Sequence, residues 1–450
     1  MKQEELRATG SLAAVFAMRL LGLFMIYPVF TTYAQHLSGA TPALIGLALG
    51  AYGLTQGLLQ IPFGFLSDRI GRKRMISLGL VFFGIGSVVA ALSTSIGGVV
   101  LGRVLQGMGA VGSVILALVA DLTSEEVRTK AMAIVGITIG LSFAVAIVAG
   151  PVLASFIGVA GIFWLTAVLA MIGIAITWFA VPNPANVVRH RDTEAVPALF
   201  ARVLSNGELL RLDFAIFALH AILTMSFLAV PALLVKSLHL TAHMDWIVYL
   251  PVLFVSVAFM VPAIIVAEKG GRMKEVFIVA IALLAVSLIA LTLGGSIGAV
   301  VVAALVVFFT AFNIMEAMLP SLVTKVAPAG AKGTATGVYS TAQFLGIFVG
   351  GAGGGLAFAA GGARGVFAIA FIIALIWLAV AITMHRPGKI SSHLVHLENL
   401  DRKNISALEA KLRAAPGVVD AVVAADEDVA YLKIDRTRFD AETVAAIVGG

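Results

Sequence analysis

The sequence predicts an α-helical membrane protein of twelve spans, arranged six and six, followed by a small α+β domain at its C-terminal end. Three observations carry that reading. Of 450 residues, 60% are hydrophobic and only 12% are charged, about half the charge of an ordinary soluble domain. The apolar residues fall into runs of about 20, the length at which a helix crosses a bilayer. Lys and Arg gather in alternate loops, as they do when every second loop faces the cytoplasm.

The first six spans are expected at 12–33, 42–65, 75–92, 96–119, 131–157 and 161–181. The other six are expected at 214–235, 246–266, 276–293, 299–319, 333–358 and 365–384. The loops test the count. Those after even spans hold Arg69, Arg72, Lys73 and Arg74, then Arg128 and Lys130, then Arg189, Arg191, Arg202 and Arg211, then Lys269, Arg272 and Lys274, then Lys325 and Lys332. Those after odd spans hold only Lys236 and Arg364. An even number of spans with both termini cytoplasmic follows. Met1 to Arg7 is polar and runs into a full span, so a cleavable leader is not expected.

The polar break from Pro182 to Leu212, with Pro184, Asn186 and Asp192, divides the spans equally. We therefore expect a membrane half at 1–182, a cytoplasmic linker at 183–212, a second half at 213–386 and a separate domain at 391–450. The halves echo each other. Pro62, Asp68, Arg69, Gly71 and Arg72 recur 200 residues later as Pro262, Glu268, Lys269, Gly271 and Arg272, with Ile264 in place of Gly64. A parallel internal repeat produces that echo.

Beyond Pro387 and Gly388 the pattern changes. Val395 and Leu397 alternate as in a strand, and Ile405, Leu408 and Leu412 recur at helical spacing. Pro416 and Gly417 break the chain; then come a strand at 418–423, an acidic turn at Asp426 to Asp428, a strand at 429–434 and a helix at 441–448. The order resembles a ferredoxin-like domain of the heavy-metal-binding type, without its closing strand. The chain has no cysteine, so neither a disulfide nor a thiolate metal site is expected.

Charge excludes a nucleic-acid partner. Up to residue 390 there are 23 Lys and Arg against 14 Asp and Glu, and afterwards 7 against 10, so the basic excess belongs to the membrane part. No catalytic residue set stands out, and neither an enzyme, a cofactor nor a metal is expected.

Between the second and third spans lies Gly-Phe-Leu-Ser-Asp-Arg-Ile-Gly-Arg-Lys-Arg, from Gly64 to Arg74. Gly64 allows close backbone approach, Gly71 a tight turn, and Asp68 sits among cations with which it can pair. This stretch, carrying Gly64, Asp68, Arg69, Gly71, Arg72 and Lys73, resembles the signature loop of the major facilitator superfamily of transporters. Arg103, in Leu-Gly-Arg-Val-Leu-Gln-Gly, resembles the fourth-helix motif, and Gly150-Pro151, after Gly136, Gly140 and Ala146, resembles that of the drug–proton antiporter branch. Ala154 and Ser155 replace that branch's second pair of glycines.

The resemblance implies a secondary transporter of a bacterial inner membrane, working as a monomer by alternating access and moving a small molecule outward as protons enter. It further implies that Asp121 pairs with Arg72, and that Asp68 faces the N-terminal end of the eleventh helix near Gly333 to Gly337. That set would latch the cytoplasmic side. Arg103 either tunes a neighbouring acid or donates to backbone carbonyls.

Ionisable groups within spans are functional candidates because lipid makes them costly. Arg19, Arg103, Asp121, His220 and Glu316 qualify, with Asp213 at a helix start. Glu316 is the expected proton carrier, ahead of His220; Arg19 would pair with an acid or meet an anionic substrate group. Gln56, Gln60, Asn313, Tyr339 and Gln343 are expected to line the cavity. Two other readings share most of these features: a proton symporter or facilitator importing a metabolite, and a membrane sensor signalling through its C-terminal domain; deleting residues 391–450 should leave transport in an exporter but abolish the output of a sensor.

Overall fold

The computed structural model describes residues 1–183, 196–240, 244–386, 390–397, 404–425, 427–435 and 437–449. Residues 184–195 of the expected linker, with Arg189 and Arg191, and the turn residue Asp426 lie outside them. Ten helices among the described residues are long and apolar enough to cross a membrane. Two of these, Lys130–Phe179 and Lys332–Ile382, run for 50 and 51 residues and bend once at a left-handed glycine, Gly158 (φ 67°) and Gly362 (φ 58°). Each therefore crosses twice, and the helices amount to twelve spans.

Two further spans are interrupted. The first runs Gln3–Phe24 and resumes at Tyr27–Ala34, where Pro28 sits in the first turn of the new segment. The fourth runs Ile96–Gly107 and Gly112–Asp121. Its break lies where glycines admit neighbouring backbone: a Cβ on Gly107 would collide with the Tyr52 carbonyl oxygen, and one on Gly109 would meet that of Gly79. The seventh span begins at Gly207, earlier than hydropathy alone indicated, because the Asn206 side chain accepts from the Glu208 and Leu209 amides and caps the helix there.

The halves meet through the second span (Pro42–Ile70) and the eleventh, which begins at Lys332. At the end of the molecule away from the Lys- and Arg-rich loops, the two backbones touch. A Cβ on Gly46 would strike the Gly351 carbonyl and the Gly355 backbone, and one on Gly50 the Phe348 carbonyl. Close approach of this kind maximises van der Waals contact where burial from lipid offers little driving force. Beside it, Thr31 Oγ1 donates to the Phe227 carbonyl at 3.3 Å and the Tyr27 and Phe227 rings pack edge to face. At the basic end, spans 2 and 11 are separated by a cavity of about 50 Å³.

The C-terminal domain is a three-stranded antiparallel sheet, β1 (Ile390–His396), β2 (Val418–Ala424) and β3 (Val429–Asp435), in the order β1-β3-β2. Helices Ile405–Ala414 and Ala441–Gly449 complete it, with Leu412, Ala421, Leu432 and Val444 in the core. A second apolar cluster joins Val429 and Tyr431 to Ala329, in the loop between spans 10 and 11. Around it, Asp420 Oδ2 accepts from Arg202 at 2.7 Å and from the Ala329 amide at 3.0 Å, and Lys433 donates to the Lys325 carbonyl. The domain is thus docked on the basic end of the second half.

Burial at this interface pulls the Lys433 ammonium down from the usual 10.5 to about 8, with Asp420 acting in the opposite direction and Lys332 and Arg202 adding to the fall. A lysine depressed in the docked state binds its proton more weakly there than when released. Docking is therefore penalised below about pH 8, and the penalty fades as pH rises from about 8 towards 10.5. Relative to Lys433→Met measured at each pH, the wild-type β3 amides should gain protection from hydrogen exchange across that window.

Candidate functional site

At the basic end Gly71, with φ 95°, ends the second span and starts the third, so that Arg72 enters the third helix immediately after the turn. Its guanidinium donates to Asp68 Oδ1 at 2.5 Å, Ser67 Oγ at 2.7 Å and Asp121 Oδ2 at 3.1 Å. The side chains of Arg72 and Asp121 have 1% and 0% of their surface exposed, so this pair operates away from water, where charge pairing is strong and its loss costly. Lys73 Nζ donates to the Val181 carbonyl at 2.5 Å, fixing the end of the sixth span. Arg69 is exposed, and Gly64 lies over Ser113.

Asp68 does not bond to the eleventh helix. It shares with Arg72, Gly333, Gly337 and Ser340 the walls of the 50 Å³ cavity. Within the first half the charge set is assembled; between the halves a gap stands where the latch was expected to close.

A polar group lies inside the first half. Arg19 Nη2 donates to the Tyr52 hydroxyl at 2.5 Å and to Gln56 Oε1 at 2.6 Å, and Gln56 Nε2 donates to Gln60 Oε1 at 2.7 Å. The Arg103 guanidinium lies 5.2 Å from the centre of the same Tyr52 ring. It donates to the Ala48 carbonyl at 3.3 Å and to Gln106 Oε1 at 2.8 Å. No acid pairs with Arg103 among the described residues, so the backbone-bonded arrangement holds and an acid-tuning role lacks its acid. Arg19 likewise pairs with no acid there. Tyr52, which links the two arginines, went unnoticed in the sequence; its only signal is the i, i+4 spacing to Gln56.

The second half holds a separate group. His220 Nδ1 donates to the Ile216 carbonyl at 3.3 Å, which leaves Nε2 to accept from Gln343 Nε2 at 2.8 Å. Glu316 Oε2 is 3.9 Å from that Nε2. The Glu316 side chain is 33% exposed, yet Oε2 is sealed and has no hydrogen-bond partner. Three spans, the seventh, tenth and eleventh, therefore converge on one carboxyl group. Tyr339 is buried on the same side with its hydroxyl unpartnered, as is Asp213 Oδ2. Asn313 turns away and donates to Ser256 Oγ in the eighth span at 2.9 Å. The two polar groups approach each other through Tyr52 and Phe344, whose rings pack edge to face.

Gly150 has a packing role: a Cβ there would collide with the Met25 carbonyl, exposed by the break in the first span, and Pro28 is also close. Pro151 follows within the fifth span. Sequence reasoning missed Asp245, which is 1% exposed with both carboxyl oxygens unpartnered next to the start of the eighth span, because it read as a loop residue.

The chain matches the family model of the Major Facilitator Superfamily over residues 12–351 and again over 212–414. It is 45% identical over 441 residues to the inner membrane transport protein YajR of Escherichia coli K12, covering 97% of each chain. An uncharacterized transporter of Buchnera aphidicola from Schizaphis graminum is 36% identical over 374 residues, covering 83% of this chain and 95% of that one. Among solved structures, a bacterial homologue of the human lysosomal transporter Spinster, in an inward-facing and occupied conformation, superposes with a TM-score of 0.71 at 14% identity, covering 85% of this chain and 97% of that one. Twelve spans, the Arg72 charge set and these matches lead to one conclusion: the chain belongs to the major facilitator superfamily and is a multi-pass membrane transporter.

Proposed function

We propose that the protein is a proton-coupled exporter of a small molecule in the bacterial inner membrane, with Glu316 as the proton carrier. One observation carries this reading: Glu316 is the acid on which three spans converge, with one oxygen sealed and no Lys or Arg paired to it among the described residues. Such a carboxyl changes the charge of the site when it takes up a proton, and His220 and Gln343 register that change across the seventh and eleventh spans.

In this reading the basic end is cytoplasmic and the two halves rock about the midplane. Asp68, Arg72 and Asp121 form the half of a latch that meets the N-terminal end of the eleventh helix when the cytoplasmic side shuts. The Gly150–Met25 contact serves the antiporter arrangement, the unit is a monomer, and the C-terminal domain is cytoplasmic.

Inverted vesicles holding a pH gradient test the proposal. A panel of lipophilic cations, neutral drugs and sugars should contain a compound that dissipates the gradient through the wild type, and Glu316→Gln should abolish that response. A response equal in Glu316→Gln, or labelled metabolites accumulating in intact cells with no efflux, would overturn it.

A further inference from the structure

The internal repeat leaves one arginine without its counterpart's partners. In the first half Arg72 is bound by Asp68 and Asp121. In the second half Gly271 (φ 66°) reproduces the turn at Gly71, and Arg272 follows it. The residue 200 positions beyond Asp121 is Ser321, which has no charge to offer. Glu268, the counterpart of Asp68, instead accepts from Ser321 Oγ at 3.4 Å and lies 3.7 Å from Lys325. Arg272 is exposed and makes no side-chain hydrogen bond or ion pair among the described residues.

Arg272 stands at the mouth of a groove of about 510 Å³ between spans 8, 9 and 10. Phe259, Val266, Val279, Leu283, Val306 and Ile314 line it, and several of them are widely exposed on the face that meets lipid. Its charged rim is lopsided. Of the two charged residues that line it, Glu275 is neutralised by Arg386 at 2.6 Å, while Arg272 has no carboxylate bonded to it among the described residues. An apolar trough with an unpaired guanidinium at the level of the headgroups has the chemistry of a phospholipid site: hydrocarbon fits the trough, and a guanidinium grips a phosphodiester through two parallel hydrogen bonds.

We propose that this groove binds one anionic phospholipid, with an acyl chain between spans 8 and 9 and the phosphate on Arg272. The lipid supplies to the second half the anion that Asp121 supplies to the first.

The test uses the full chain, purified in detergent, stripped of lipid and titrated with phosphatidylglycerol or phosphatidylcholine under native mass spectrometry. The wild type should retain a single phosphatidylglycerol at about ten-fold higher occupancy than phosphatidylcholine: both carry a phosphodiester, but the choline ammonium of the second is repelled by Arg272, and ten-fold corresponds to about 1.4 kcal/mol. Arg272→Gln, which breaks no contact within the protein, should erase that preference, and Val279→Trp, which fills the trough from an exposed position, should reduce retention of both lipids. Equal retention of the two lipids by the wild type, or retention unchanged in either variant, would mean annular lipid only and would overturn the proposal.

Discussion

Arg72→Ala is expected to destabilise the membrane domain by about 3–5 kcal/mol and to lower transport at least ten-fold, a larger loss than any surface substitution in the same loop. The magnitude follows from burial. Asp121 has no exposed side-chain surface and Asp68 only 14%, so removing the guanidinium takes the shared cation away from two largely buried carboxylates. Arg72→Lys should recover only part of the loss, because one ammonium cannot serve Asp68, Ser67 and Asp121 with the fixed fork that Arg72 presents. The companion Asp121→Asn, introduced into Arg72→Ala, should restore more than half of the lost stability by removing the buried charge that Arg72 neutralised. Thermal unfolding of the four proteins in one detergent measures this as a double-mutant cycle. Strict additivity would show that the pair is not coupled.

Gly46→Val should act on the opposite end, and on the balance between states rather than on the fold of either half. The new side chain would meet the Gly351 carbonyl and the Gly355 backbone, neither of which can turn aside as a flexible side chain would. The state in which spans 2 and 11 touch there becomes unfavourable, while a state in which they part is unaffected. A penalty of only about 3 kcal/mol shifts such an equilibrium more than a hundred-fold. Since the chain has no cysteine, Thr31→Cys gives a single reporter at this seam. Its reaction with a membrane-impermeant maleimide applied from outside should accelerate at least ten-fold in Gly46→Val, and transport should fall by a similar factor. Unchanged labelling with normal transport would mean that the seam does not open.

What the sequence revealed, and what it hid, divide along a physical line. Span number and the six-plus-six division were legible because a bilayer sets the length of an apolar run and loop charge sets its direction. The three strands and two helices of the C-terminal domain were legible because a water-facing domain alternates apolar with polar residues. Contacts between spans were not, since in a helix whose neighbours and lipid are equally apolar no pattern tells which face turns inward. Hence Asn313, expected in the cavity, reaches Ser256 instead, and Tyr52 was passed over although it joins Arg19 to Arg103. Arg103 was readable as a motif, but its partners, the Ala48 carbonyl and Gln106, are set by how the spans pack. Asp245 looked like a loop residue because hydropathy places the end of a span without seeing what folds over it.

Both halves end in a helical hairpin whose corner is a single left-handed glycine, Gly158 in one and Gly362 in the other. Space is open at both corners, where a Cβ would meet nothing within 4 Å, but the positive φ strains any residue that carries a side chain. The practical result concerns topology mapping: epitope tags and protease sites placed at these corners would disrupt the hairpins they are meant to report, whereas the docked domain at the far end offers a water-facing place to attach them.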